Sequence, residues 1–256
     1  MNDIIIPLGN GSIQNNLELR YALRSIERNA VNCRKVIIAG NIPDFLVKNS
    51  SILLTIKVPN QKWIMNKEAR IAWNIMYALK NLDTTDDVVL WNDDYILEKE
   101  TDITQIPNYR RDKNLEESAE SRGLDYYRNS LLKTAEFLKS QGKETQNYDI
   151  HCPIIYNKKK FLDLEKVWIQ SGKQIYGFVV KSTYGNMTFP EVGPELKDLK
   201  LNHHTNEHGY LKEKIQDRWV WSYSDKAFNE GVNNYLRKIY KEKSKYEATP
   251  VISNYL

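Results

Sequence analysis

Cysteine is nearly absent from this 256-residue chain. Cys33 and Cys152 lie far apart and outside any zinc-like spacing, which excludes a disulfide scaffold and points to a reduced, cytosolic setting. Long apolar runs are missing too. No segment approaches the ~20 consecutive apolar residues of a membrane helix, so no membrane partner is expected. The opening MNDIIIPLGNGS has neither a basic region nor a long apolar stretch, and no secretory signal is read there. Charge of one sign is hardly in excess: the net is +4, with a pI near 8.8. That balance is compatible with a polyanionic partner without demanding one. No internal repeat, low-complexity tract or linker divides the chain.

What is present is core material and alternation. Hydrophobic residues make up 41%, with 6 Trp and 16 Tyr, against a mean hydropathy of -0.61. Residues 3–8 (DIIIPL) predict a strand and GNGS a turn. Asn15 or Asn16 then caps a helix to about Asn29, with Leu19, Ala22, Leu23 and Ile26 at three-four spacing. Arg20, Arg24 and Arg28 fall on another face, read most simply as solvated. KVIIA (35–39) predicts a second strand, and strand–helix–strand in this order implies a parallel pair. Residues 52–58 predict a third strand. Asn66 caps a helix to about Asn81, and residues 88–91 predict a fourth strand.

Beyond Glu98 the pattern fails. Residues 98–126 are polar and mixed in charge, and predict a mobile loop beside a site. A helix follows around Leu131–Leu138. Residues 148–156 (YDIHCPIIY) predict a strand carrying Asp149 and His151, residues 158–170 a helix, and GFVVKSTYGN a strand running into a turn. A tail helix is expected over about 227–240.

The chain is organised around DDVVLWNDDYIL (86–97), where an apolar strand delivers Asn92, Asp93 and Asp94 to its C-terminal edge. Ionised carboxylates leave water only against something positive, and ligands of α/β proteins collect at the carboxyl ends of strands. A divalent metal meeting a diphosphate is one reading; a helix cap or turn uses the same residue types.

The ordered set NLELRYALRSIERNA, KVIIAGNIPDFL, NKEARIAWNIMYAL and DDVVLWNDDYIL resembles the nucleotide-sugar half of a GT-A glycosyltransferase. ELRYALRSIERN followed by WNDDYIL is also similar to Stealth-type sugar-phosphate transferases, and the whole to phage-encoded glycosyltransferases, several of which modify DNA bases. The resemblance covers roughly the first 100 residues. It implies an α/β, GT-A-like single domain over 1–256: a mostly parallel twisted sheet flanked by helices, with a C-terminal helical tail. Residues 1–100 would form the nucleotide-sugar half and 101–256 the acceptor half and tail. DDVVLWNDDYIL corresponds to the metal-binding DxD-type motif, with one departure. Asn92 stands where the family often has Asp, so Asn92 becomes a ribose-side hydrogen bonder, Asp94 the main ligand of Mn²⁺ or Mg²⁺, and Asp93 the second.

Around that motif each further candidate has a plain structural alternative. Pro7, Leu8 and Gly9 at the first strand's end would flank the donor. Lys67 and Arg70, three apart at a helix N-terminus, suit phosphate oxygens or are simply solvated. By resemblance, Asp44 would bond uracil or ribose, although Pro-Asp is ordinary turn chemistry, and His203 or His204 would complete the metal shell. Asp149 and His151, two apart, are candidates for the base that deprotonates an acceptor hydroxyl, or are edge polar residues. Arg237, Lys238, Lys241, Lys243 and Lys245, interleaved with Tyr235, Tyr240 and Tyr246, would track and stack on nucleic acid, or form a plain soluble helix end. The expected function is metal-dependent transfer of a sugar from a nucleotide sugar, a UDP-sugar first, to a hydroxyl. The candidate acceptor is a hydroxymethylated base in double-stranded phage DNA, in the host cytoplasm. A Stealth-like sugar-phosphate transfer onto a surface glycan and a non-catalytic nucleotide- or DNA-binding module are the competing readings.

Overall fold

The structure, a computed structural model, describes residues 1–48, 50–202, 208–228 and 230–248. In chain order the elements are β1 (Asn2–Leu8), α1 (Leu17–Asn29), β2 (Ala30–Val31), β3 (Cys33–Gly40), β4 (Leu53–Lys57), α2 (Lys67–Asn81) and β5 (Asp87–Leu90). There follow β6 (Tyr95–Leu97), β7 (Thr101–Asp102), α3 (Leu115–Glu120), α4 (Tyr126–Ser140), β8 (Ile154–Asn157), α5 (Lys158–Asp163) and α6 (Glu165–Gly172). The last are α7 (Val180–Thr188), β9 (Lys200–Leu201), α8 (His208–Ile215), β10 (Val220–Tyr223) and α9 (Glu230–Ile239).

The central sheet has strand order β4-β3-β1-β5-β8, parallel except for β8, which runs antiparallel to β5. Its strands are apolar on both faces because helices cover both. Ile4 and Ile6 of β1 pack with Leu19, Leu23 and Ile26 of α1, whereas Ile5 packs with Ala72, Ile75, Met76 and Leu79 of α2. Successive side chains of a strand leave on opposite sides, so one run of isoleucines anchors both layers. A smaller sheet, β6-β10-β9, packs beside α1 with α8 and α9. The mostly parallel sheet flanked by helices is the α/β architecture expected.

The first half follows the sequence pattern closely. Asn66 caps α2, its Oδ1 accepting from the Ala69 N–H at 2.8 Å. Asn16 caps nothing: it takes a left-handed conformation, and the Ser12 hydroxyl accepts from its N–H at 2.8 Å. Arg20 and Arg24 are not a solvated face. Both clamp Glu247, whose side chain is fully buried, and Arg24 and Arg28 also donate to the carbonyls of Tyr240 and Ile239.

The second half departs more. The segment read as a mobile loop contains α3, and Ile103, Ile106, Leu115 and Ala119 are buried; its apolar anchors are too widely spaced to show a period. Only residues 154–156 of the strand expected over 148–156 are in the sheet, because Pro153 has no N–H to offer a ladder. The expected 158–170 helix breaks at Leu164 into α5 and α6. GFVVKSTYGN is mainly helix rather than strand: α7 packs between α4 and α2, where side-chain anchors outweigh β-propensity.

Candidate active site

Parallel strands β1, β3 and β5 end together, and two cavities open where they do. One, of about 590 Å³, is bordered by Pro7, Gly9, Lys67, Arg70, Asn92, Asp93 and Asp94, with Glu18, Asn74, Lys200, Tyr223, Ser224 and Asp225 among its other walls. The second, of about 680 Å³, is lined by Leu8, Gly9, Asn10, Gly40, Asn41, Lys57, Asn60 and Tyr77. Gly9, Arg70 and Asn74 border both, so the two form one cleft. Pro7, Leu8, Gly9, Lys67, Arg70, Asn92, Asp93 and Asp94 all border this cleft. Asp44 lies on an exposed turn in neither cavity. His203 and His204 lie outside the described residues.

The cleft is electrostatically unfinished. Asp93 is raised above its ordinary range by burial, then by the charges of Asp94 and Glu18. Asp94 Oδ2 faces Lys200 Nζ at 3.4 Å, while its Oδ1 is buried with no partner. Ten buried side-chain polar atoms lack a partner among the described residues, and four of them border this cleft: Asn74 Oδ1, Asp94 Oδ1, Tyr223 OH and Ser224 Oγ. Unpaired buried polar atoms are costly, and here they converge on one space. Among the described residues no group of three or more His, Cys, Asp or Glu side chains is placed to hold a metal by itself. Two adjacent carboxylates with one free oxygen fit instead a hard cation whose shell is completed by phosphate oxygens.

Asp149 and His151 border neither cavity, and they sit on an irregular segment rather than a strand. Each has its own carboxylate or phenol partner. Asp149 accepts from the Tyr127 hydroxyl, and Asp198 Oδ2 lies 2.7 Å from His151 Nδ1 and 2.6 Å from its N–H. The carboxylate that orients His151 is thus Asp198, not Asp149. Burial alone would raise Asp198, but hydrogen bonding from His151 and the charge of Arg111 outweigh it and hold Asp198 ionised. An ionised carboxylate only accepts, so His151 carries its proton on Nδ1 and its Nε2 lone pair is the basic one. Glu68 is half-buried near Asp149, and its burial, with the Asp149 charge, pushes it up to about 8.

Two links tie this group to the cleft. Asp198 holds His151 while Lys200, two residues on, reaches Asp94. Beneath them, the buried Lys181 of α7 donates to Tyr95 OH at 2.8 Å and to the carbonyls of Ile150 and Cys152 at 2.7 and 2.8 Å. Burial lowers the lysine's affinity for its proton, and the charges of Asp149, Asp94 and Asp198 oppose that.

The basic tail has a different surrounding from the one expected. Arg237, Lys238, Lys241, Lys243 and Lys245 are exposed, but Tyr235, Tyr240 and Tyr246 are buried at 5, 4 and 3%. Tyr240 donates to the Leu97 carbonyl and Tyr235 to Glu98. These rings are core, not stacking platforms. The far end of the strip lies away from the cleft: Glu18 borders the cavity, whereas Glu27, nine positions along α1 and roughly 14 Å from it, holds the Lys245 N–H.

Glu18, Asn74, Lys181, Asp198, Lys200, Tyr223 and Ser224 were not anticipated. The one sequence signal was Asn74, a polar residue on the inward face of an otherwise apolar helix.

No family model and no curated protein sequence matches the chain. Solved structures do. A galactosyltransferase, LgtC, in complex with donor and acceptor sugar analogs shares the fold across 97% of this chain and 98% of its own, with a TM-score of 0.53 at 11% identity. A bifunctional glycosyltransferase, WbbM, matches 94% of this chain and 50% of its own, with a TM-score of 0.50 at 10% identity. At such identity the likeness defines the fold: a GT-A glycosyltransferase fold.

Proposed function

We propose that the protein is a glycosyltransferase that moves a sugar from a nucleoside diphosphate sugar, a UDP-sugar first, to an acceptor hydroxyl. The observation that carries this reading is the convergence of the Asp93 and Asp94 carboxylates, the cations Lys67 and Arg70, and the polar atoms Asn74 Oδ1, Tyr223 OH and Ser224 Oγ, unpartnered among the described residues, at one edge of the sheet. A polar, anionic, hydroxyl-rich ligand completes such a cleft. Asp94, with Asp93 second, would hold Mn²⁺ or Mg²⁺, which when bound supplies positive charge to the departing diphosphate. Lys67 and Arg70, at the start of α2, bind and orient phosphate oxygens. His151, with Nδ1 turned to Asp198, offers Nε2 to the acceptor's proton.

The acceptor divides the finer readings. A hydroxymethylated base in phage DNA draws support from the five exposed cations of the tail, and none from its buried tyrosines. A Stealth-like transfer would use the same cleft, with attack on phosphorus, and its product would carry sugar plus phosphate. A binding module that kept the fold would turn over no nucleotide sugar at all.

The test is a thermal-shift screen across UDP- and GDP-sugars with Mn²⁺ present, since a ligand that binds only the native state raises its stability. A metal-dependent rise in Tm with one nucleotide family is expected. No shift with any of them contradicts the reading.

A further inference from the structure

Asn74 is a polar residue of the cleft set into an apolar helix face. It is 3% exposed, stands among Ala72, Ile75, Met76 and Ala78 on the buried face of α2, and leaves its Oδ1 without a partner. The backbone is shaped to admit it. Gly40 has φ +123°, and a Cβ there would lie 2.2 Å from the Leu8 carbonyl oxygen and 2.6 Å from Asn74 Nδ2. A glycine thus lets the ends of β1 and β3 close on the amide. Asn74 and Arg70 share a helix face at four-residue spacing, and both border the two cavities at their junction.

We propose that Asn74 is a donor-recognition residue whose amide is kept unpaired to bond a ribose hydroxyl of a nucleoside diphosphate. The inference rests on the nucleotide reading above and adds to it a group, a place and a sign. In any nucleoside diphosphate the ribose lies between base and phosphates, and Asn74 lies between the open cavity and the one holding Asp93 and Asp94. A hydroxyl both donates and accepts, so it satisfies the amide whichever way the amide faces. A purely structural asparagine would have been paired within the protein; an unpaired one weakens the free protein and is completed by ligand.

The consequence is a trade of stability against affinity. Asn74→Leu, close in shape and without polar atoms, is expected to raise the Tm of the free protein by about 2–4 °C. The same change should weaken binding of UDP with Mn²⁺ by about tenfold, the worth of one hydrogen bond to a buried partner. Asn74→Ala carries the affinity test if the leucine variant folds poorly. Wild-type protein should lose about the same factor toward 2′-deoxy-UDP or 3′-deoxy-UDP, and Asn74→Leu should lose nothing further toward that analogue, since the two deletions remove one interaction. Unchanged UDP affinity in both Asn74 variants, or losses that add, overturns the assignment of Asn74 alone. A wild-type protein that binds no nucleoside diphosphate overturns the nucleotide reading beneath it, and the two failures are told apart by that first titration.

Discussion

The sheet of the first half and the segment 145–152 of the second are held by different physics. In the first, residues 1–97, alternating apolar side chains of β1, β3 and β5 seat α1 and α2 on opposite faces of one sheet. In the second, the segment 145–152 is hung on side chains that reach its backbone. Ser182 accepts from the Tyr148 N–H, Asn186 bonds both backbone groups of Gln146, and Lys181 takes two carbonyls. Asn147, 1% exposed, accepts from the Asp149 N–H and donates to Ser118. The difference teaches where precision is needed: apolar packing builds the scaffold beneath the cleft, and a polar web holds the segment that carries Asp149 and His151.

The largest effects should come from opposite kinds of deletion in the two halves. Ile37→Ala, fully buried in β3, should cost about 2–5 kcal/mol in chemical denaturation through cavity formation. Lys181→Met should cost about 2–4 kcal/mol, although it conserves apolar volume, because Tyr95 OH and the Cys152 carbonyl lose their donor inside the protein and the Ile150 carbonyl keeps only Tyr95 OH. A neutral Lys181→Met would erase the contrast between the halves.

A smaller effect concerns pH. Glu68 holds its proton up to about 8 in the fold, far above an unfolded glutamate. The native state therefore binds more protons than the unfolded chain between about pH 4.5 and 8, and stability falls as pH rises through that window. Glu68→Gln should abolish this part of the loss, of order 1–3 kcal/mol, when unfolding is measured at pH 5 and pH 8. Equal slopes for variant and wild type would remove Glu68 from the account.

The smallest effect on folding should follow charge reversal at Lys241, Lys243 and Lys245, within about 0.5 kcal/mol because all three are exposed. The same change should weaken double-stranded DNA binding and flatten its salt dependence if the tail contacts phosphates. Wild-type protein with no salt-sensitive DNA binding would leave the DNA acceptor without support.

The same contrast governs what could be read from the chain. Ile4 to Ile6, the α2 periodicity, the Asn66 cap and the Asn92-Asp93-Asp94 strand end are local signals, and they located the sheet and the cleft. Lys200 meets Asp94 from 106 residues away and Asp198 meets His151 from 47, so neither leaves a trace in local spacing. Lys181 sits in a segment whose valines suggest a strand, and only contacts made by the whole fold turn it into helix. The tail tyrosines misled for a related reason: aromatic–basic interleaving says nothing about which side of a helix meets the core.

In the proposed function, metal and nucleotide bind together through Asp94. Titration of UDP in the presence and absence of Mn²⁺, with wild-type protein and Asp94→Ala, tests it most directly. Metal-dependent binding by the wild type that falls at least a hundredfold in Asp94→Ala is the predicted result, about 2.7 kcal/mol or more. Equal UDP affinity in the two proteins with Mn²⁺ present would contradict it.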